Sequence, residues 1–163
     1  MSQGVTGRLG ELGWEVLWPR ARLGSVEPGN DASVTLRFTG VGACASGCLS
    51  SLFLGDLGER PQALMMAANR IGPVDVVKVA HHGSADQNPK LYAALRASVG
   101  VIGVGLDNGY GHPTDKLLGF LADNGTLPTR TDLEGMVLLS PTPGGGVAVW
   151  TEHSLPAGKA LSH

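Results

Sequence analysis

Two adjacent histidines, His81 and His82, close a β-branched run and are followed at once by Gly83 and Ser84. A strand turns successive side chains to opposite faces, so only one imidazole continues the inward face and the two take different tasks. The division that suits imidazole is one metal ligand and one neighbouring or proton-transfer group. Packing as a core histidine is the competing reading. Asp56 ends another apolar run, in LFLGD. Gly55 before it allows close backbone approach, and a carboxylate in apolar surroundings needs a partner for its charge. It reads either as a helix N-cap or as a metal-ligating carboxylate. His112, between Gly111 and Pro113, sits on a stiff loop that suits a substrate-facing acid or hydrogen-bond donor, although a plain surface loop residue would look the same. Asp132, in RTDLEG, follows another strand signal, whereas His153 and His163 fall in the tail and read as idle.

The elements that must position these groups can be read from pattern. Trp14 to Trp18 is a strand signal stopped by Pro19, and residues 19–32 form a polar loop. Val34, Leu36 and Phe38 alternate with polar residues, the period of a half-buried strand. Leu49 to Leu54 is a short buried strand, paired with the preceding one as a hairpin. Residues 59–71 have helix-forming composition, with Leu64, Ala67, Ala68 and Ile71 at helical spacing. Asp75 to Ala80 and Val99 to Val104 are strands, separated by a helix over Pro89 to Arg96. A third helix spans 114–124, with Thr114 as N-cap and Gly125 just past the end. Short strands near 127–131, 136–140 and 147–151 follow. The order predicts a layered α/β domain over residues 1–151 with a flexible tail over 152–163. Asp56, the histidine doublet, Asp107 to His112 and Asp132 all come just after strands, where sites of α/β sheets gather.

Composition narrows the classes. The chain has 163 residues, of which 25 are glycine and 10 proline, which excludes a coiled coil or plain helical bundle. A net charge of -2 argues against a protein that coats nucleic acid, unless Lys78, Lys90, Arg96 and Lys116 line one track. No apolar run reaches the length of a membrane span, and the first residues lack the pattern of a signal peptide, so the chain as written is expected to be soluble. Cys44 and Cys48 lie in a small-residue turn; a bond across the hairpin mouth is sterically possible, but the expectation is two reduced, structurally idle thiols.

Taken together, Gly29-Asn30-Asp31-Ala32-Ser33, LFLGDL (52–57), DVVKVAHHGS (75–84), VGLDNGYGHPT (104–114) and RTDLEG (130–135) resemble the C-terminal metallo-β-lactamase-like domain of ComEC-type DNA-uptake (competence) proteins. The resemblance runs from about Trp14 to Trp150. It implies part of an αββα sandwich and a metal-dependent hydrolase of phosphodiesters, a nuclease, using zinc or manganese. It carries a metal-binding role to Asp56 and to one histidine of the doublet, taken as His81. His82, His112 and Asp132 are then the catalytic candidates. The implied partners are single-stranded DNA and a membrane-channel domain of the same protein, with this domain on the extracytoplasmic face of a bacterial membrane.

One departure matters. The family's main metal motif, HxHxDH or HxDxDH, belongs to the first half of a complete domain, and no histidine precedes His81. The chain therefore resembles the second half of the sandwich. Its expected behaviour is weak metal binding and weak or absent hydrolysis, with an exposed sheet face open to self-association. Two further readings stand beside this one: a catalytically dead binding module of the same fold, and a small metallo-hydrolase acting on another ester or a lactone.

Overall fold

Residues 1–21 and 29–154 are described by the computed structural model; His163, most of the expected tail and part of the loop expected over 19–32 lie outside them. Seven strands form one sheet in chain order: β1 (Thr6–Leu9), β2 (Leu12–Trp18), β3 (Thr35–Gly40), β4 (Ser51–Phe53), β5 (Val76–Lys78), β6 (Val99–Ile102) and β7 (Leu127–Arg130). The first four run antiparallel, and β4 to β7 run parallel. Parallel neighbours need crossovers, which α1 (Glu59–Ala68), α2 (Pro89–Leu95) and α3 (Asp115–Asp123) supply. A short helix, α4 (Thr131–Glu134), leads into a separate hairpin of β8 (Val137–Thr142) and β9 (Gly146–Thr151). Glu152 and His153 remain tied to Met136 and Glu134 through their backbone N–H groups. The layered α/β architecture expected from the sequence is what the chain adopts.

Alternation explains the two sheet faces. Leu17, Leu52, Val77 and Ile102 fall on one face and pack with Met65, Leu91, Leu95, Leu117 and Leu121 in a single buried cluster. The opposite face is unevenly covered. Val16, Val76 and Val99 are buried there, while Phe53 is 43% exposed and packs edge-on against Phe38.

Several expectations need correction. Strand β1 is additional to the predicted set. The inward face of α1 is Pro61, Gln62 and Met65, with Ala67 and Ala68 exposed, rather than the face through Leu64, Ala67 and Ala68. A buried amide network sets this rotation. Gln62 Nε2 donates to the Leu57 carbonyl (2.6 Å) and to Gln87 Oε1 (2.8 Å), which also accepts from the Tyr92 hydroxyl (2.8 Å). Burial pushes the Tyr92 phenol well above its ordinary pKa, so it stays a hydrogen-bond donor. Cys44 and Cys48 are not idle thiols. They form a disulfide across the turn between β3 and β4, with Cα atoms 5.3 Å apart, inside the range a disulfide requires. The N-cap of α3 is Thr114, and Gly125 has φ +68°, both as expected.

Gln87 Nε2 also donates to the carbonyl of Ala80 (3.0 Å), the residue before the histidine doublet. Replacing Gln87 by leucine keeps the volume but leaves that carbonyl and the Tyr92 hydroxyl without this partner. Denaturant unfolding is expected to register a loss of about 1–3 kcal/mol; an unchanged midpoint would remove the network from the account of the fold.

Candidate functional site

The strand β5 ends at Lys78, before the histidines, so strand alternation does not govern them. Instead Ala80–Gly83 form a 3₁₀ turn in which His81 (φ 46°, ψ 47°) and His82 (φ 52°, ψ 18°) both take left-handed backbone conformations. Such conformations cost L-residues about 1–2 kcal/mol each and persist only when the surroundings impose them. The surroundings here are specific. His81 N–H donates to the Gly55 carbonyl (3.0 Å), Ser84 N–H to the His81 carbonyl (2.9 Å), and Thr114 N–H to the Gly83 carbonyl (2.9 Å). Gly83 is itself required: at φ +89° a side chain is strained, and an added Cβ would stand 2.5 Å from Pro113 Cβ. The doublet thus turns outward at the carboxyl end of β5 and is locked to the loops after β4 and β6.

Three loops converge on this turn. Asp56, after β4, faces His82, with Oδ1 3.9 Å from His82 Nε2; both side chains are exposed. His82 Nδ1 lies 2.5 Å from the carbonyl of Gly103, after β6. A carbonyl can only accept, so that contact puts the proton on Nδ1 and leaves Nε2 free to accept or to ligate. His81 Nε2 lies 3.4 Å from Asn30 Nδ2, and its ring stands 5.8 Å, edge-on, from the ring of His112. Partial burial, then the charges of His81 and His82, push the His112 pKa below its ordinary value.

The helix N-cap reading of Asp56 does not hold, because the cap of α1 is Gly58. Asp56 N–H instead donates to Ser33 Oγ (3.1 Å). Gly55, at φ +57°, leaves room for that approach, since an added Cβ would stand 2.9 Å from Ser33 Cβ. Asp132 is on α4, where Arg130 holds its carboxylate at two points (3.1 and 2.6 Å). Among the described residues its side-chain hydrogen bonds run to Arg130, not to the histidines.

Sequence reasoning missed two members of the site. Lys78, read as part of a DNA track, extends to the Gly55 carbonyl (Nζ–O 3.5 Å); burial lowers its pKa, and the charge of Asp56 partly restores it. Asn30 had no signal beyond its place in the GNDAS run. The other basic residues are scattered: Lys90 and Arg96 lie at opposite ends of α2, and Lys116 caps the Ala85 carbonyl (3.0 Å).

Comparison with known proteins adds one relationship. Over 93 residues, 56% of its length, the chain is 30% identical to ComE operon protein 3 of Bacillus subtilis (strain 168). The chain spans 12% of that protein. No family model matches the chain. No solved structure matches it either.

The donor set meets a divalent cation only in part. Asp56 and the free Nε2 of His82 face one another, but among the described residues no group of three or more His, Cys, Asp or Glu side chains could hold one ion. A zinc site takes three or four protein ligands. The purified chain, dialysed against trace zinc or manganese, is expected to retain well under one tightly bound ion per molecule. Elemental analysis returning two per molecule would mean that the pairing of Asp56 and His82 is the wrong nucleus for the site.

Proposed function

We propose that the chain is the part of a DNA-uptake protein that meets the phosphodiester backbone of single-stranded DNA, and that it contributes part of a metal-dependent hydrolytic site. The observation that carries this reading is the convergence of His81, His82 and His112, with Asp56, from three separate strand-end loops. Three imidazoles so close together at the ends of strands suit a polar ligand, with His81 and His112 able to donate hydrogen bonds to phosphate oxygens and the free Nε2 of His82 able to ligate. The similarity to ComE operon protein 3 supports the DNA-uptake context.

Within that reading the roles of the doublet are exchanged relative to the sequence-based expectation. His82 and Asp56 are the two groups arranged to ligate a zinc or manganese ion, since imidazole and carboxylate suit either. The remaining ligands of such an ion come from outside the described residues. His81, oriented by Asn30, holds a phosphate oxygen. His112, edge-on to His81 on the loop after β6, serves as hydrogen-bond or proton donor to the leaving oxygen, a role worth about 10²–10⁴-fold in rate in a complete site. Asp132 supports the neighbouring loop by holding Arg130.

The incomplete ligand set favours a second reading alongside, a binding module without hydrolysis. The disulfide supports placement outside the cytoplasm, because such bonds persist in oxidising compartments. No helix among the described residues is long and apolar enough to cross a membrane, so a membrane-channel partner would be another part of the same protein.

Fluorescence anisotropy with a labelled single-stranded oligonucleotide tests the binding claim. The triple variant His81→Ala, His82→Ala, His112→Ala is expected to bind at least about tenfold more weakly than the native chain, while His153→Ala is unchanged. Equal binding by the triple variant would overturn the reading. Cleavage assays with added Mn²⁺ separate its two forms: rapid cleavage by this chain alone would contradict a ligand set shared with residues elsewhere.

A further inference from the structure

Beside the histidines the loop after β6 displays an aromatic ring that nothing in the fold uses. Tyr110 is 87% exposed, and Leu106 on the same loop is 81% exposed. So exposed a ring contributes almost nothing to burial on folding, yet the backbone carrying it is fixed on both sides. Asn108 Oδ1 accepts from Tyr110 N–H (3.1 Å), and Asn108 Nδ2 donates to the His112 carbonyl (2.6 Å). One asparagine therefore sets the spacing between the tyrosine and the third histidine. The Tyr110 ring stands 6.1 Å from the His112 ring, tilted by 31°. Between them and His82 opens a cleft of about 430 Å³, also lined by Val104, Asp107 and Asn108.

We propose that Tyr110 is a stacking platform for a nucleobase of the bound strand, seated in this cleft next to the phosphate held by the histidines. The proposal rests on the phosphodiester reading of the site and deepens it. Three features favour a base in the cleft over a second phosphate. Asp107 lines it, and a carboxylate there disfavours a second anion while it can accept from the exocyclic amine of a base. Its walls include an apolar valine and an aromatic face. Its position, one ring beyond His112, is within the reach of a single nucleotide whose phosphate lies on the imidazoles. Stacking on an aromatic ring tolerates every base, so the platform would give affinity for single strands without reading sequence. A paired base is covered by its neighbours and cannot offer its face to Tyr110.

The test compares a single-stranded DNA oligonucleotide with a sugar–phosphate strand of equal length that lacks bases. Both bind to the native chain, to Tyr110→Ala, to Tyr110→Phe and to the triple histidine variant. The native chain is expected to prefer the base-bearing strand by about tenfold. Tyr110→Ala should lose that preference while keeping its affinity for the abasic strand, and Tyr110→Phe should retain it, since the ring and not the hydroxyl does the stacking. Tyr110→Ala with an undiminished preference would overturn the proposal, as would a native chain that binds both strands equally. In either case, weakened binding of both strands by the triple histidine variant would leave the phosphodiester reading standing. If that variant binds both strands as the native chain does, that reading falls, and the platform beside its phosphate falls with it.

Discussion

Two consecutive left-handed L-residues, His81 and His82, form the constraint on which the site depends. A chain does not adopt that turn by preference, and its cost of a few kcal/mol is comparable to a sizeable share of a domain's net stability. It is held because every neighbouring element grips it. The buried Gln87 amide anchors Ala80, the loop after β4 receives the His81 N–H, and the carbonyl of Gly103 fixes the His82 ring. Gly83 lets Pro113 press close enough for Thr114 to bond the Gly83 carbonyl. The helix that follows, α3, is capped by the same Thr114. The histidine turn and the packing of three crossovers are thus one mechanical unit, and the site inherits the rigidity of the core.

Much of this was legible in the sequence, and the failures have physical causes. Strand and helix order followed from hydrophobic period and from Gly and Pro punctuation. The chemistry-bearing residues after strands were correctly gathered at one edge for Asp56, His81, His82 and His112. Alternation misled at the doublet because the strand ends two residues early, and a positive-φ pair leaves no periodic trace. The rotation of α1 was misread because Gln62 looks like a surface residue until its partners Gln87 and Tyr92 are known. The cysteine turn could close or stay open at the same spacing; only the backbone path through Gly42 to Gly47 decides it. Asp132 carried the right residue type in the right neighbourhood, but Arg130, two residues earlier, holds it. Strand β1 is short and interrupted by Gly7, over whose Cα the Trp14 ring lies, so its pattern is too weak to read.

The chain's two sheet faces fit the same account. One face is filled by helices and carries the core. The other leaves Phe53 partly open at the junction of antiparallel and parallel strands, on the face that also bears Lys78.

The central claim is that His81, His82 and His112 act together on a phosphodiester. Histidine side-chain NMR of the native chain, titrated with a short single-stranded oligonucleotide, tests it most directly. The account predicts that the three imidazole resonances shift together along one saturation curve while that of His153 stays in place. Shifts confined to His153, or no imidazole shift at saturation, would contradict it.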